Sequence, residues 1–200
     1  MKKIFLLFLA GAVVFVCLAP ARAQEPAAGK TLLLYYSKTG NTQAACEALQ
    51  KALGANIQEI KDLNRRDTKL GAIGGMLKTL LGMHTAIEPQ KVDLSPYTTV
   101  IISAPIWAAK FGLAMRTFVE TNRFDGKNVL IFITSDSFIE DTYQEKHRQS
   151  VKDAGGKVTG YFQVQATDPV NGEKVPRSRD NIVQETLKLV PGMQKAIAGR

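Results

Sequence analysis

A chain of 200 residues, 45% hydrophobic and 22% charged, has the balance of an ordinary globular protein and the length of one domain. That composition excludes collagen-like, coiled-coil and low-complexity architectures. The formal charge of +8 comes from scattered Lys and Arg, with no arginine-rich run among aromatics, so no nucleic-acid partner is expected.

The chain opens with Lys2-Lys3, an uncharged run over residues 4–19 and the small-x-small site Ala21-Arg22-Ala23. This order reads as a Sec-type signal peptide over residues 1–23, cut after Ala23. The run falls short of the roughly 20 residues that span a bilayer, so no membrane span is expected after cleavage. No Arg pair precedes the run and no small residue precedes Cys17, which speaks against twin-Arg export and against lipidation. A periplasmic or secreted protein is the expectation. Residues 24–29 read as a linker and 30–200 as the domain. Cys46 is then the only cysteine of the mature chain, so it has no disulfide partner. It falls in a helical pattern and reads as a small buried hydrophobe.

Residues 31–36 form an apolar run, the mark of a strand buried on both faces. A polar stretch follows at 37–42. From Gln43 the apolar period becomes helical through Leu53, and Gly54 ends that helix. Residues 56–60 predict a second, shorter strand. Residues 64–89 are less regular; Leu70, Ile73, Leu77, Leu80 and Leu81 could line one helical face. Strands are predicted over 99–103, 129–134 and 158–164, and helices over 111–121 and 138–154. Residues 166–178 read as a polar loop. A closing helix covers 181–198, with Pro191 a kink or break. Short apolar strands alternating with amphipathic helices mean βαβ units and a parallel sheet covered on both faces. Ligands bind such sheets at the carboxyl ends of the strands. The chemistry is therefore sought in residues 37–42, 104–110 and 135–139.

The first loop carries the strongest signal. It joins a buried strand to a helix N-terminus, whose free N–H groups and partial positive charge suit an anion. Gly40 allows close backbone approach or a positive φ. Ser37, Thr39 and Thr42 add hydroxyls and Asn41 an amide. The patterns GxxxxGK[ST] and GxGxxG are both absent, which excludes the usual triphosphate and dinucleotide loops. The same residue types also cap helices without a ligand, but four of them packed between strand and helix favour a phosphate.

Tyr36-Ser37-Lys38-Thr39-Gly40-Asn41-Thr42 resembles the FMN phosphate loop of flavodoxins, (S/T)-x-T-G-x-T. Asp93-Leu94-Ser95-Pro96-Tyr97 and Val100-Ile101-Ile102-Ser103-Ala104-Pro105-Ile106-Trp107 resemble that family's third strand and the loop beside the flavin ring. Gly126-Lys127-Asn128-Val129, leading to Phe132-Ile133-Thr134-Ser135, resembles its fourth strand and second flavin loop. The resemblance implies a flavodoxin-like three-layer sandwich with a five-stranded parallel sheet in the order 2-1-3-4-5. It implies FMN as cofactor, its phosphate held by Ser37, Lys38, Thr39, Gly40, Asn41 and Thr42. Ala104, Pro105, Ile106 and Trp107 would line one side of the ring; Thr134, Ser135, Asp136 and Ser137 would meet its polar edge. Trp107 is the only tryptophan, and its flat ring can stack on a flavin; the alternative is a core tryptophan.

The third loop reads Ser135-Asp136-Ser137-Phe138 where the family often carries Gly-rich sequence. Asp136 beside a flavin would disfavour a reduced anionic ring. Phe138 is either a second stacking face or, as favoured here, the first apolar residue of the next helix. His84 and His147 have no metal-ligand spacing and read as surface or loop histidines. Glu140-Asp141 reads as solvated, and GxSxG is absent. The expected function is electron transfer to an unknown redox partner, since no second domain for NAD(P)H is evident. The alternatives are an FMN-dependent quinone or NAD(P)H reductase, and a domain that no longer binds FMN.

Overall fold

The three central strands alternate between two cores. β1 (Thr31–Tyr35) sends Leu32 and Leu34 to one side of the sheet and Leu33 and Tyr35 to the other. β5 (Thr99–Trp107) divides Val100 and Ile102 from Ile101 in the same way, and β7 (Asn128–Ser135) divides Ile131 and Ile133 from Leu130 and Phe132. Successive strand side chains point to opposite faces, so a sheet covered on both faces favours apolar residues at successive positions. The computed structural model in which this is seen describes residues 30–64, 74, 77, 81 and 83–199. The expected signal peptide 1–23 and linker 24–29 lie outside the described residues, as do Leu70, Ile73 and Leu80. Leu77 and Leu81, from the same expected helical face, are exposed.

β2 (Asn56–Glu59), β1, β5, β7 and β8 (Lys157–Gln165) stand side by side in that order, every pair parallel. Counted as five parallel strands, this is the order 2-1-3-4-5. α1 (Asn41–Leu53), α4 (Arg179–Lys188) and α5 (Val190–Ile197) cover one face, burying Ala45, Cys46, Leu49, Ile182 and Met193 against Leu33, Ile101 and Phe132. α2 (Leu113–Thr121) and α3 (Asp141–Asp153) cover the other with Met115, Phe118, Val119 and Val151. The result is the flavodoxin-like three-layer α/β sandwich. Gly54 ends α1 at φ +62°, its N–H on the Gln50 carbonyl. Pro191 sits in the first turn of α5, where its missing N–H is harmless, so it divides the closing helix in two.

Four local expectations are corrected. The strand predicted at 99–103 runs on to Trp107, then folds back as β6 (Lys110–Phe111), which pairs antiparallel with Ile106 and Trp107. The turn passes through Ala108 and Ala109 at φ +47° and +59°, and α2 begins at Leu113. Residues 166–178, read as a loop, hold a hairpin of β9 (Thr167–Val170) and β10 (Glu173–Pro176), turning through Asn171 and Gly172, both at positive φ. Phe138 precedes α3 in a loop and is 74% exposed; Ile139 packs on the core in its place, and the helix starts only at Asp141, after the extended N-cap Glu140. His147 is buried, because it shares the inward face of α3 with Val151. In the irregular segment, β3 (Lys61–Asp62) pairs antiparallel with β4 (Ile87–Glu88).

Candidate functional site

The carboxyl ends of β1, β5, β7 and β8 meet at one edge of the sheet, beside the point where the winding reverses between β1 and β5. A cleft of about 520 Å³ opens there. Its walls include Lys38, Thr39, Asn41 and Thr42 from the first loop, Pro105, Ile106 and Trp107 from the second, and Thr134, Ser135 and Asp136 from the third. All three loops picked from the sequence therefore converge on one space.

The first loop is built to leave its donors open. Ser37 Oγ accepts the Gly40 N–H at 3.2 Å, which closes the loop on itself. Gly40 stands at φ +90°, in the left-handed region that favours glycine. No side chain caps α1, its first turn holds no acidic residue, and no acceptor meets the N–H groups of Asn41, Thr42 or Gln43 among the described residues. Thr42 Oγ1 lies 2.7 Å from Thr134 Oγ1, buried, and ties the first loop to the third.

Trp107 is half-buried. Tyr36 meets it edge-on, with ring centroids 5.9 Å apart and planes at 82°, and Lys38 Nζ stands 5.6 Å from the centre of its ring. Such contacts fix the indole while leaving part of it on the cleft wall. The third loop is pinned by side chains: Ser135 Oγ donates to the Ser137 carbonyl at 2.7 Å, and Thr167 Oγ1 donates to the Asp136 carbonyl at 2.6 Å.

Four expected residues, Ser37, Gly40, Ala104 and Ser137, stand apart from the walls. Ala104 is wholly buried in the core beneath the cleft. The exposed Ser137 spends its carbonyl on bonds from Ser135 Oγ and Gln163 Nε2. Ser37 and Gly40 shape the first loop from within. Sequence reasoning missed the far wall, formed by Ala166, Thr167, Lys174 and Pro176 of the C-terminal hairpin. It also missed Arg179, whose Nη2 donates to the Thr39 carbonyl at 2.9 Å and covers Gly40. Asp136 is the one acidic residue among the residues lining the cleft.

Cys46 is fully buried, and burial pushes its thiol up to about 12, so it is inert packing. Among the described residues no cluster of three or more His, Cys, Asp or Glu is placed to hold a metal.

Comparison with curated proteins gives no match. Among solved structures, a flavoprotein from Lactobacillus acidophilus NCFM, crystallised in complex with FMN, superposes with a TM-score of 0.57 at 20% identity. That alignment covers 68% of this chain and 93% of the other. A chain from Bacteroides uniformis ATCC 8492, assigned as a flavoprotein, superposes with a TM-score of 0.59 at 23% identity, covering 78% of this chain and 97% of its own. At these identities the likeness is one of fold. A flavodoxin family model matches the sequence itself over residues 30–160, from the start of β1 into β8 and through all three loops of the cleft. The chain thus belongs to the flavodoxin family.

Proposed function

We propose that this protein binds FMN in the cleft and carries electrons outside the cytoplasm. The carrying observation is the open N-terminus of α1 behind Gly40. Unmet N–H groups, a positive helix end and a glycine at φ +90° fit a terminal phosphate. The rest of the cleft fits the remainder of the cofactor. Its volume lies within the roughly 300–1,000 Å³ of small-molecule sites. Trp107 offers a flat apolar face to the ring, and Thr39, Asn41 and Thr42 place polar groups at the phosphate end.

When bound, FMN supplies the redox chemistry, and the protein orients it and tunes its electronics. Asp136 on the cleft wall disfavours added negative charge nearby, which favours the oxidised cofactor. The cleft needs no side chain as acid or base for this role. The signal-peptide pattern of residues 1–23 supports export, with a redox partner outside the cytoplasm.

The test is a titration of the purified protein with FMN, followed by fluorescence and absorbance. Quenched flavin fluorescence and a shifted flavin spectrum are expected. Gly40→Val should abolish both, since the branched side chain meets Arg179 and a strained φ. Unaltered FMN fluorescence with the wild-type protein would overturn the reading. Steady NAD(P)H oxidation by the loaded protein would make it a reductase instead of a carrier.

A further inference from the structure

We infer that the segment after β8 supplies a cationic clamp for the phosphate of the bound flavin, with Lys174 and Arg179 as its charges. This rests on the reading that the cleft holds FMN. It adds residues from beyond the stretch matched by the family model, which ends at residue 160.

Two devices bring these charges to the cleft wall and to its first loop. Arg177 fastens the hairpin: its Nε and Nη2 reach Asp168 Oδ1 at 2.8 and 2.6 Å, and its Nη1 donates to the Gln165 carbonyl at 3.2 Å. Thr167 Oγ1 then ties the hairpin to the third loop through the Asp136 carbonyl. So held, β10 presents Lys174 on the cleft wall, which already carries Lys38 from the first loop.

Arg179 is the second device. It is the first residue of α4, whose N-cap Ser178 accepts the Asn181 N–H. A cation in the first turn opposes the positive helix end, so its position is unfavourable for α4 itself. The side chain instead crosses to the phosphate loop. Its Nη2 donates to the Thr39 carbonyl, and a Cβ on Gly40 would stand only 2.7 Å from that nitrogen. This bond uses one of five guanidinium donors. No carboxylate pairs with Arg179 or Lys174 among the described residues.

Arg179 thus stands at Gly40, beside the open N-terminus of α1, and Lys38 and Lys174 line the same cleft, against the single acid Asp136 on the wall. A phosphomonoester carries close to two negative charges at neutral pH, and riboflavin carries none. The clamp therefore selects the phosphorylated cofactor over riboflavin, which has the same ring.

The experiment compares the wild-type protein with the double variant Lys174→Gln, Arg179→Gln. Both side chains are exposed, so the fold should survive, as circular dichroism will show. FMN and riboflavin are titrated by fluorescence quenching at low and high salt. The variant should lose roughly tenfold or more in FMN affinity, with riboflavin affinity unchanged. Its FMN affinity should also fall less steeply with salt. Equal losses for both flavins would mark the two residues as structural support and overturn the clamp. Unchanged FMN affinity would overturn it too. Wild-type protein that binds neither flavin overturns the cofactor reading instead, and inorganic phosphate then decides the clamp. Phosphate binding that the variant loses supports it; equal binding by both proteins, or none, overturns it.

Discussion

His147 lies between two aromatic rings, with centroids 4.5 Å away at Phe111 and 6.0 Å away at Tyr161. Its Nε2 is 3.0 Å from the Ala109 carbonyl, and its Nδ1 is 2.9 Å from the Tyr161 hydroxyl. A carbonyl only accepts, so Nε2 carries the hydrogen and Nδ1 accepts from the tyrosine. The neutral ring is fully satisfied and steadies the Ala108–Ala109 turn next to Trp107. Burial holds the imidazole pKa below its ordinary 6.5, partly offset by the Ala109 bond. The charged groups around it are Lys110, Arg116, Glu120 and Lys146 on the adjoining cavity and Arg148 over Tyr161. Below about pH 6.5 the unfolded histidine takes up a proton that the folded one refuses. The unfolded state then binds more protons, so stability falls as pH drops through that window. The slope is at most about 1.4 kcal/mol per pH unit. His147→Phe should flatten it in urea denaturation between pH 5.5 and 8. The same change should cost about 1–3 kcal/mol, since two partly buried polar groups lose their partner. An unchanged pH slope would remove His147 from this role.

The two hairpins at the cleft show what sequence can and cannot announce about an element. Asn171-Gly172 is the dipeptide most expected in a two-residue hairpin turn, and both residues take positive φ. Pro169 and Pro176 hide that signal, because proline cannot donate to a ladder. A two-stranded ribbon tolerates them. Nothing marks the Ala108–Ala109 turn, where alanine at positive φ costs about 1–2 kcal/mol per residue. Pairing of Ile106 with Phe111 and the bond from His147 hold it. The central strands are legible because burial on both faces leaves unbroken apolar runs, and the first loop is legible because its signal is local. His147, Val151 and Ala154 do follow helical spacing, but the rest of α3 is too polar for that pattern to stand out. Arg179 meets Thr39 across 140 residues, and a single cation on an exposed helix turn leaves no periodic trace. The hairpin's fastening is testable. Asp168→Asn should raise hydrogen exchange across residues 167–176 while leaving β5 and β7 protected. Equal protection in both proteins would show that Arg177 is not what holds the hairpin.

At the scale of the molecule, the two cores are complete without any ligand. Leu33, Cys46, Leu49 and Phe132 fill one, and Ile102, Met115, Phe118 and Ile131 fill the other. No helix among the described residues is long and apolar enough to cross a membrane. On the proposed export route the chain leaves the cytoplasm unfolded, so it folds outside, with no need of FMN to begin. Two finished cores make that feasible. The cleft, by contrast, draws its walls from the loops after β1, β5 and β7 and from the C-terminal hairpin. A ligand there bridges segments far apart in sequence and binds only when all are in place. Its binding energy should therefore add to global stability by mass action. At a hundredfold excess over Kd the gain is about 2.7 kcal/mol. For a domain of this size that is a rise in Tm of roughly 5–10 °C. The shift should grow with the logarithm of FMN concentration, and riboflavin at the same concentration should give a smaller one. Thermal melts followed by circular dichroism measure it. No shift at concentrations where fluorescence shows saturation would mean that FMN binds a site formed without the folded sheet.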